Sequence, residues 1–358
     1  MELTHLRYHR QEILPGIGLE GQARLANAKV LVIGAGGLGC PALQYLAAAG
    51  VGHLGIADPD VVSLSNLHRQ VLYGESDLGQ MKVDVAKRRL LEINGALDIR
   101  IWPEVFGQEH CLQFINEYDV VLDATDQIAS RYWISDACFL MKKILVFGAV
   151  SRFEGQVAVF KELSYRDLFP EIPTEDAVAS CSIAGVLGVL PGVIGVLQAT
   201  EAIKVITGVG QPLYDQLMHY QALHSTFYTL KLTPHPAATG YRPSSLEAYQ
   251  TTDYTAACSP AVPLLSVEAW LQAREEFWLV DVRELEEQPR LDAIGAQVMP
   301  RSQWKERWRN GYGKKVVLVC QMGARSKQAA VLLKQNNPEL SVFSLEGGVQ
   351  ALTHNHLI

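Results

Sequence analysis

Gly34, Gly36 and Gly39 stand at G-x-G-x-x-G spacing inside VLVIGAGGLGCPALQYLAAAG, residues 30 to 50, with Gly37 between them. Glycines at that spacing let a backbone turn sharply after a strand and approach a phosphate, whose charge then faces the N-terminus of the following helix. Asp58 closes the next apolar run nineteen positions after Gly39, where a carboxylate accepts hydrogen bonds from ribose hydroxyls. The loop alone does not separate NAD from ATP. Residues beyond it do: DPDVVSLSNLHRQVL carries Asp60, Asn66, Arg69 and Gln70, Lys82 follows GQM, and DATD ends on Asp126. Hydride transfer has no use for an arginine, a lysine and a spare carboxylate at one site. Attack of a carboxylate on the α-phosphate of ATP needs them, because cations and Mg2+ must offset charge on the attacked phosphorus and the departing pyrophosphate. Taken singly, Arg69 and Lys82 read as solvated charges and Asp126 as a helix N-cap before QIASRYW. As an ordered set they read as an ATP site.

A second chemistry is written in VVLVCQMGARSKQAA, where Cys320 ends a strand and opens a loop that leads into a helix. Backbone N–H groups of such a loop point at the sulfur and the helix N-terminus adds partial positive charge. Both stabilise a thiolate or persulfide anion, and Arg325 is placed to help. Asp281 and Arg283 in LVDVRE read as fold support. The six cysteines, at 40, 111, 138, 181, 258 and 320, include no C-x-x-C pair, which weighs against a cysteine-only zinc site, and their scatter favours reduced thiols in a cytosol. Cys40, Cys111 and Cys138 read as packed core thiols and Cys258 as incidental.

The elements that must position these residues are legible from the hydrophobic pattern. KVLVIG, HLGIAD, DIRIW, DVVLDA and KILVFG are buried strands alternating with helical stretches such as Met81 to Asn94, whose Val83, Val85, Ala86, Leu90 and Ile93 form an apolar stripe. That alternation predicts a Rossmann-like, doubly wound, mostly parallel sheet, to which GQVAVF and STFYTLKL add strands around a helix from Ile183 to Ile206. The run IAGVLGVLPGVIGVL is too short to span a membrane and contains Pro191, so it reads as a buried helix. From Pro234 to Pro263 prolines, serines and threonines replace the core pattern, and a smaller α/β unit follows. The expected division is 1–235 for the nucleotide domain, 236–262 for a linker and 263–358 for the second domain, within reach of a 358-residue chain. The N-terminus has no apolar signal-peptide core, and a net charge of −7 without a basic tract argues against nucleic acid as a partner.

RYHRQ, GAGGLG, DPDVVSLSNLHRQ, the Lys82 helix, DATD and SCSIAGVLGVLPGVIG, in that order from about Leu6 to Leu232, resemble the MoeB/ThiF/HesA family, relatives of ubiquitin-activating enzymes. The resemblance implies ATP-dependent adenylation of the C-terminal glycine of a small ubiquitin-like sulfur-carrier protein ending in Gly-Gly, by a cytoplasmic homodimer. Carried over by position, Asp58 binds ribose, Asn66, Arg69 and Lys82 contact phosphates, and Asp126 holds Mg2+. Arg10 corresponds to the arginine that reaches into the partner subunit's active site, and Cys181 to a cysteine able to bond the carrier covalently, with a core thiol as the alternative. CQMGARS, LVDVRE and SLEGGVQAL resemble a rhodanese domain from about Leu264 onward, although LDAIGAQVMPRSQW departs from its usual histidine-bearing segment.

Fusion of the two implies a sequence of steps. ATP activates the carrier, and a persulfide on Cys320, loaded from a persulfide or thiosulfate donor, replaces AMP to give a thiocarboxylate for molybdopterin, thiamine or tRNA-thiolation chemistry. The family's structural zinc is not expected, since Ser164 and Asp167 stand in KELSYRDLFPEIP where thiols belong, and LTPHPAATGYRP has none either. Aromatics such as Tyr165, Phe169 and Tyr241 are then expected to replace it by packing. Other readings are a relative acting on a ribosomal peptide or tRNA, an NAD-dependent oxidoreductase, and a carrier-binding scaffold. The rhodanese motif weighs against the first, and Arg69, Lys82 and Asp126 against the second. Intact Cys320 and Asp126 weigh against the third.

Overall fold

The computed structural model describes residues 2–104, 106–172, 185–254, 262–300, 315–337, 339–355 and 357–358. The described residues divide into two compact units, 2–254 and 262–358. In the first, helices α1 (Glu2–Glu12) and α2 (Gly18–Asn27) precede β1 (Lys29–Ile33), α3 (Gly39–Ala49) and β2 (His53–Ala57). Then come α4 (Lys82–Ile93), β3 (Asp98–Trp102), α5 (Gln108–Phe114), β4 (Val120–Asp123), α6 (Ile128–Leu140) and β5 (Ile144–Ser151). The unit ends with β6 (Glu154–Phe160), α7 (Val189–Thr207), β7 (Gln216–Gln221), β8 (Thr226–Lys231) and the short helices α8 (Ala238–Tyr241) and α9 (Leu246–Thr251).

The sheet has eight strands in the order β3-β2-β1-β4-β5-β6-β7-β8. β1 to β5 pair in parallel and β5 to β8 antiparallel. Side-chain alternation along β1 divides the core: Val30 and Val32 enter one cluster with α3, α4 and α7, while Leu31 and Ile33 enter another with α5 and α6. Burial of each such side chain contributes about 1.5–3 kcal/mol. This is the doubly wound, mostly parallel architecture expected from the sequence, with its antiparallel strands added at one edge.

Two segments differ from expectation. Helix α7 begins at Val189, later than the sequence pattern suggested, with Pro191 in its first turn, where a missing N–H costs nothing. By length and composition α7 is apolar enough to cross a membrane, but it packs against α3, β5 and β6, with Gln198 and Glu201 on its buried face. The stretch 236–254, expected within a linker, folds onto the first unit: Tyr249 donates to the Trp133 carbonyl at 3.1 Å and Tyr254 to Asp136 at 2.8 Å. Both tyrosines are buried, an apolar contribution that the proline- and threonine-rich composition concealed.

The second unit is built on a five-stranded parallel sheet in the order β11-β10-β12-β13-β9. Its elements are β9 (Leu264–Leu265), α10 (Val267–Gln272), β10 (Phe277–Asp281), β11 (Gln297–Val298), β12 (Lys315–Val319), α11 (Ala324–Asn336), β13 (Val342–Leu345) and α12 (Gly348–His354). Hydrophobic clusters form from alternate residues of its central strands: Val316 and Leu318 enter one, Val317 and Val319 the other.

Candidate active site

The glycine loop lies at the point where strand order reverses, since β1 pairs with β2 on one side and β4 on the other. Open α/β sheets bind ligands in that crevice. Gly34 adopts φ +99°, and a Cβ there would stand 2.6 Å from the Ala124 carbonyl oxygen. A Cβ on Gly39 would overlap the Gly34 carbonyl. These two glycines are therefore sterically required, and they aim the N-terminus of α3 at the crevice.

Asp58, just past β2, is buried and accepts from the backbone N–H of Ala35 at 2.8 Å and of Asp60 at 2.9 Å. Lys82 opens α4, with its ammonium 2.7 Å from Asp60 and 3.7 Å from Asp58. Burial pushes the Asp58 carboxyl above the usual carboxylate range, and the Lys82 charge opposes that shift. The lysine is itself buried, and its charge is met by both carboxylates.

Asn66 and Arg69 follow on a helical turn, both half-buried. The Arg69 guanidinium donates to the Ser65 carbonyl at 3.2 Å and meets the His68 ring at 2.8 Å, and among the described residues it pairs with no carboxylate. Its stem passes over the loop, 3.6 Å from where a Cβ on Gly37 would be, and the Gln70 amide stands 3.6 Å from that point on Gly36. Gln70 is buried and its Oε1 has no hydrogen-bond partner among the described residues. Sequence reasoning quoted Gln70 but left it out of the site. Its burial beside the loop is the signal that only coordinates supply.

Asp126 lies between the end of β4 and α6, exposed and with no side-chain hydrogen bond among the described residues. Gln127 and not Asp126 occupies the N-cap of α6, so helix capping does not explain the carboxylate. The turn that presents it is held by Asp123, whose Oδ1 accepts from Thr125 N at 3.0 Å and Thr125 Oγ1 at 2.7 Å. Asp123 is fully buried and its carboxyl is raised, by desolvation first and against the pull of Arg131.

The structure thus brings Gly34, Gly36, Gly37, Gly39, Asp58, Asp60, Asn66, Arg69, Lys82 and Asp126 to one crevice. It does not bring Arg10 there. Helix α1 is docked on the far ends of α3 and α4: Gln11 donates to the Ala49 carbonyl at 3.0 Å, Arg7 to Ile93 at 2.8 Å, and Asn94 to the Tyr8 hydroxyl at 2.7 Å. The eleven residues of α3 separate that end from the loop by about 16 Å. Arg10 is exposed on α1. Cys181 lies outside the described residues. Cys40, Cys111 and Cys138 are buried and unpaired, and burial pushes the Cys40 thiol up to about 12 and the other two upward as well.

In the second unit Cys320 sits at the end of β12, and its sulfur accepts from Gly323 N at 3.2 Å and Ser326 Oγ at 3.4 Å. Gly323 is the N-cap of α11, so the helix N-terminus faces the thiol as its sequence context required. Arg325 differs from expectation: its guanidinium forks onto Glu287 at 2.6 and 2.5 Å, which offsets its charge. Asp281 and Arg283 form a buried pair, and Arg283 also donates to Gln321 in the thiol loop at 3.0 Å.

Where four thiols would hold zinc, Asp167 accepts from Arg242 at 2.5 Å and from the backbone of His235 at 3.1 Å, and Arg242 also donates to Ser164 at 2.7 Å. The Arg242 guanidinium covers the Phe139 ring at 3.9 Å. A cation already occupies the oxygens that a metal would need, so this donor set does not fit zinc. Among the described residues no three metal-ligating side chains cluster.

Comparison with known proteins finds a family for each of the two units. The ThiF family model matches residues 8–240 and the rhodanese-like domain model residues 266–355. A Thermus thermophilus protein named sulfur carrier protein adenylyltransferase is 47% identical over 70% of this chain and 96% of its own. A Mycobacterium tuberculosis protein named probable adenylyltransferase/sulfurtransferase MoeZ is 37% identical over 96% of this chain and 92% of its own. The Zea mays adenylyltransferase and sulfurtransferase MOCS3-1 is 38% identical over 96% of this chain and 80% of its own. The crystal structure of E. coli MccB with ATP superposes with a TM-score of 0.55 at 21% identity, over 61% of this chain and 68% of that one, a likeness of fold.

Proposed function

We propose that this chain, which belongs to the ThiF family and ends in a rhodanese-like domain, uses ATP to adenylate the C-terminal glycine of a small ubiquitin-like sulfur-carrier protein and then supplies sulfur from Cys320. It is an adenylyltransferase and a sulfurtransferase. The observation that carries the reading is the convergence of Arg69, Lys82 and Asp126 on the glycine loop, with neither Arg69 nor Asp126 committed to an ion pair among the described residues.

In the first step the carrier carboxylate attacks the α-phosphate and pyrophosphate leaves. The N-terminus of α3 receives the phosphates, Asp58 accepts from the ribose, and Lys82 and Arg69 lie against the charge that develops on phosphorus and leaving group. Asn66 and Gln70 donate from the same turn. Asp126 would hold Mg2+, which takes few protein ligands and supplies further charge on the phosphates. In the second step the outer sulfur of a Cys320 persulfide attacks the acyl carbon and AMP leaves. A thiolate, for which Cys181 is the candidate, attacks the Cys320 sulfur of the resulting acyl disulfide; a new S–S bond to Cys320 forms as the thiocarboxylate leaves, and an external thiol then reduces that disulfide.

Around this core we place a homodimer in which Arg10 acts in the partner's site, a cytoplasmic setting that keeps the free thiols reduced, and no zinc. Molybdopterin and thiamine synthesis are the pathways that use such a product. The test is intact-mass analysis of Gly-Gly-ending carriers after incubation with enzyme, Mg-ATP and a sulfur source. Replacement of one oxygen by sulfur is the expected result. An unchanged carrier mass, with no pyrophosphate released, would exclude this reaction for the carriers tried.

A further inference from the structure

The mouth of the Cys320 loop carries less positive charge than its sequence suggests. CQMGAR contains a single cation, Arg325, and both ends of its guanidinium fork are taken by the Glu287 carboxylate at 2.6 and 2.5 Å. Arg283, which reaches the loop through Gln321 at 3.0 Å, is equally committed to buried Asp281 at 2.8 Å. Each guanidinium that touches the loop is thus matched by its own carboxylate among the described residues. Among the described residues, the donors that reach the sulfur are neutral: Gly323 N at 3.2 Å and Ser326 Oγ at 3.4 Å. Glu287 is further held by the backbone N–H of Glu284 at 3.0 Å, so its carboxylate is fixed toward Arg325.

We propose that Glu287 is a specificity-determining residue of the sulfurtransferase site, one that disfavours the thiosulfate dianion and favours persulfide donors of lower charge. It rests on the persulfide role assigned to Cys320. In either reaction the Cys320 thiolate attacks the outer sulfur of the donor, a new S–S bond forms, and the donor's S–S bond breaks with its electron pair on the leaving group. That group is sulfite, still a dianion, from thiosulfate, and a monoanionic thiolate from a persulfide. A dianion entering and a dianion departing both gain from an unpaired guanidinium, whereas a persulfide gains little.

The full-length protein should therefore be assayed with cyanide as acceptor and either thiosulfate or cysteine persulfide as donor. Glu287→Gln keeps an acceptor for Glu284 N and releases Arg325. It should raise kcat/KM for thiosulfate about tenfold, mainly by lowering KM, and the gain should shrink as ionic strength rises. Cysteine persulfide turnover should stay within about twofold on the same charge argument. Arg325→Gln in the Glu287→Gln background should remove the gain, and Glu287→Ala should reproduce it if Gln perturbs the loop. An unchanged thiosulfate KM in both Glu287 variants, or an equal rise with both donors, would overturn the inference while leaving the persulfide role intact. Turnover that survives in Cys320→Ser would instead remove the persulfide role itself.

Discussion

In the proposed mechanism Asp126 and Cys320 divide the chemistry between them, and single substitutions should separate the two steps. Asp126→Ala removes an exposed carboxylate that supports no helix cap, so the fold should persist while carrier-dependent pyrophosphate exchange is lost. Exchange near the wild-type rate in the folded variant would remove Asp126 from the mechanism. Arg69→Ala should lower the same rate by about 10²-fold, the usual effect of one charge-stabilising donor. Cys320→Ser should leave exchange unchanged and stop thiocarboxylate formation with thiosulfate as sole donor, because serine carries no sulfane sulfur. Asp58 adds a pH signature. Burial raises its carboxyl, so on acidification it takes up a proton at a higher pH than an ordinary carboxylate does. Protonation replaces a charge-assisted acceptor by a neutral one, so ATP affinity should fall as pH drops through that raised value. Asp58→Asn should bind ATP more weakly at pH 7 and lose this dependence, as titration calorimetry would show.

At the scale of elements, the turn 164–167 and the segment that carries Arg242 are joined by a guanidinium, at the place where the family resemblance implies thiols for zinc. Arg166 adds a buried pair with Asp136 at 2.8 Å, which also receives the Tyr254 hydroxyl, so the former linker is stapled to α6. Arg242→Met would leave the Asp167 carboxylate, 3% exposed, without its countercharge. The expected cost is about 3 kcal/mol or more, read as a lower melting temperature, with Arg242→Lys in between. A chelator should leave the wild-type melting temperature unchanged, and metal analysis should find far less than one zinc per chain. A drop with chelator would show that a metal, and not Arg242, closes this lobe.

At the scale of the whole molecule, α1 places Arg10 away from its own nucleotide loop, so the catalytic role proposed for Arg10 requires a second copy. Arg10→Ala and Asp126→Ala should each be inactive alone, and their mixture should regain activity, because a mixed dimer contains one site with both residues intact. Mixing without recovery, despite demonstrated subunit exchange, would return Arg10 to a structural role on α1.

Glycine spacing, the strand-end acids and the ordered basic residues were legible because phosphate binding constrains residue type and spacing locally, and a strand–turn–helix is a local structure. The same holds for Cys320 in its strand–loop–helix and for the alternating runs that define both sheets. Tertiary structure decided what depends on neighbours distant in sequence. Glu287 offsets Arg325 from thirty-eight positions away, and Arg242 meets Asp167 across seventy-five. Burial turned Tyr249 and Tyr254 from linker residues into core, and left the Gln70 amide facing the loop. Charge pairing and desolvation are properties of packed surroundings, so a residue's type announces what it can do, while its partners settle whether that capacity is free.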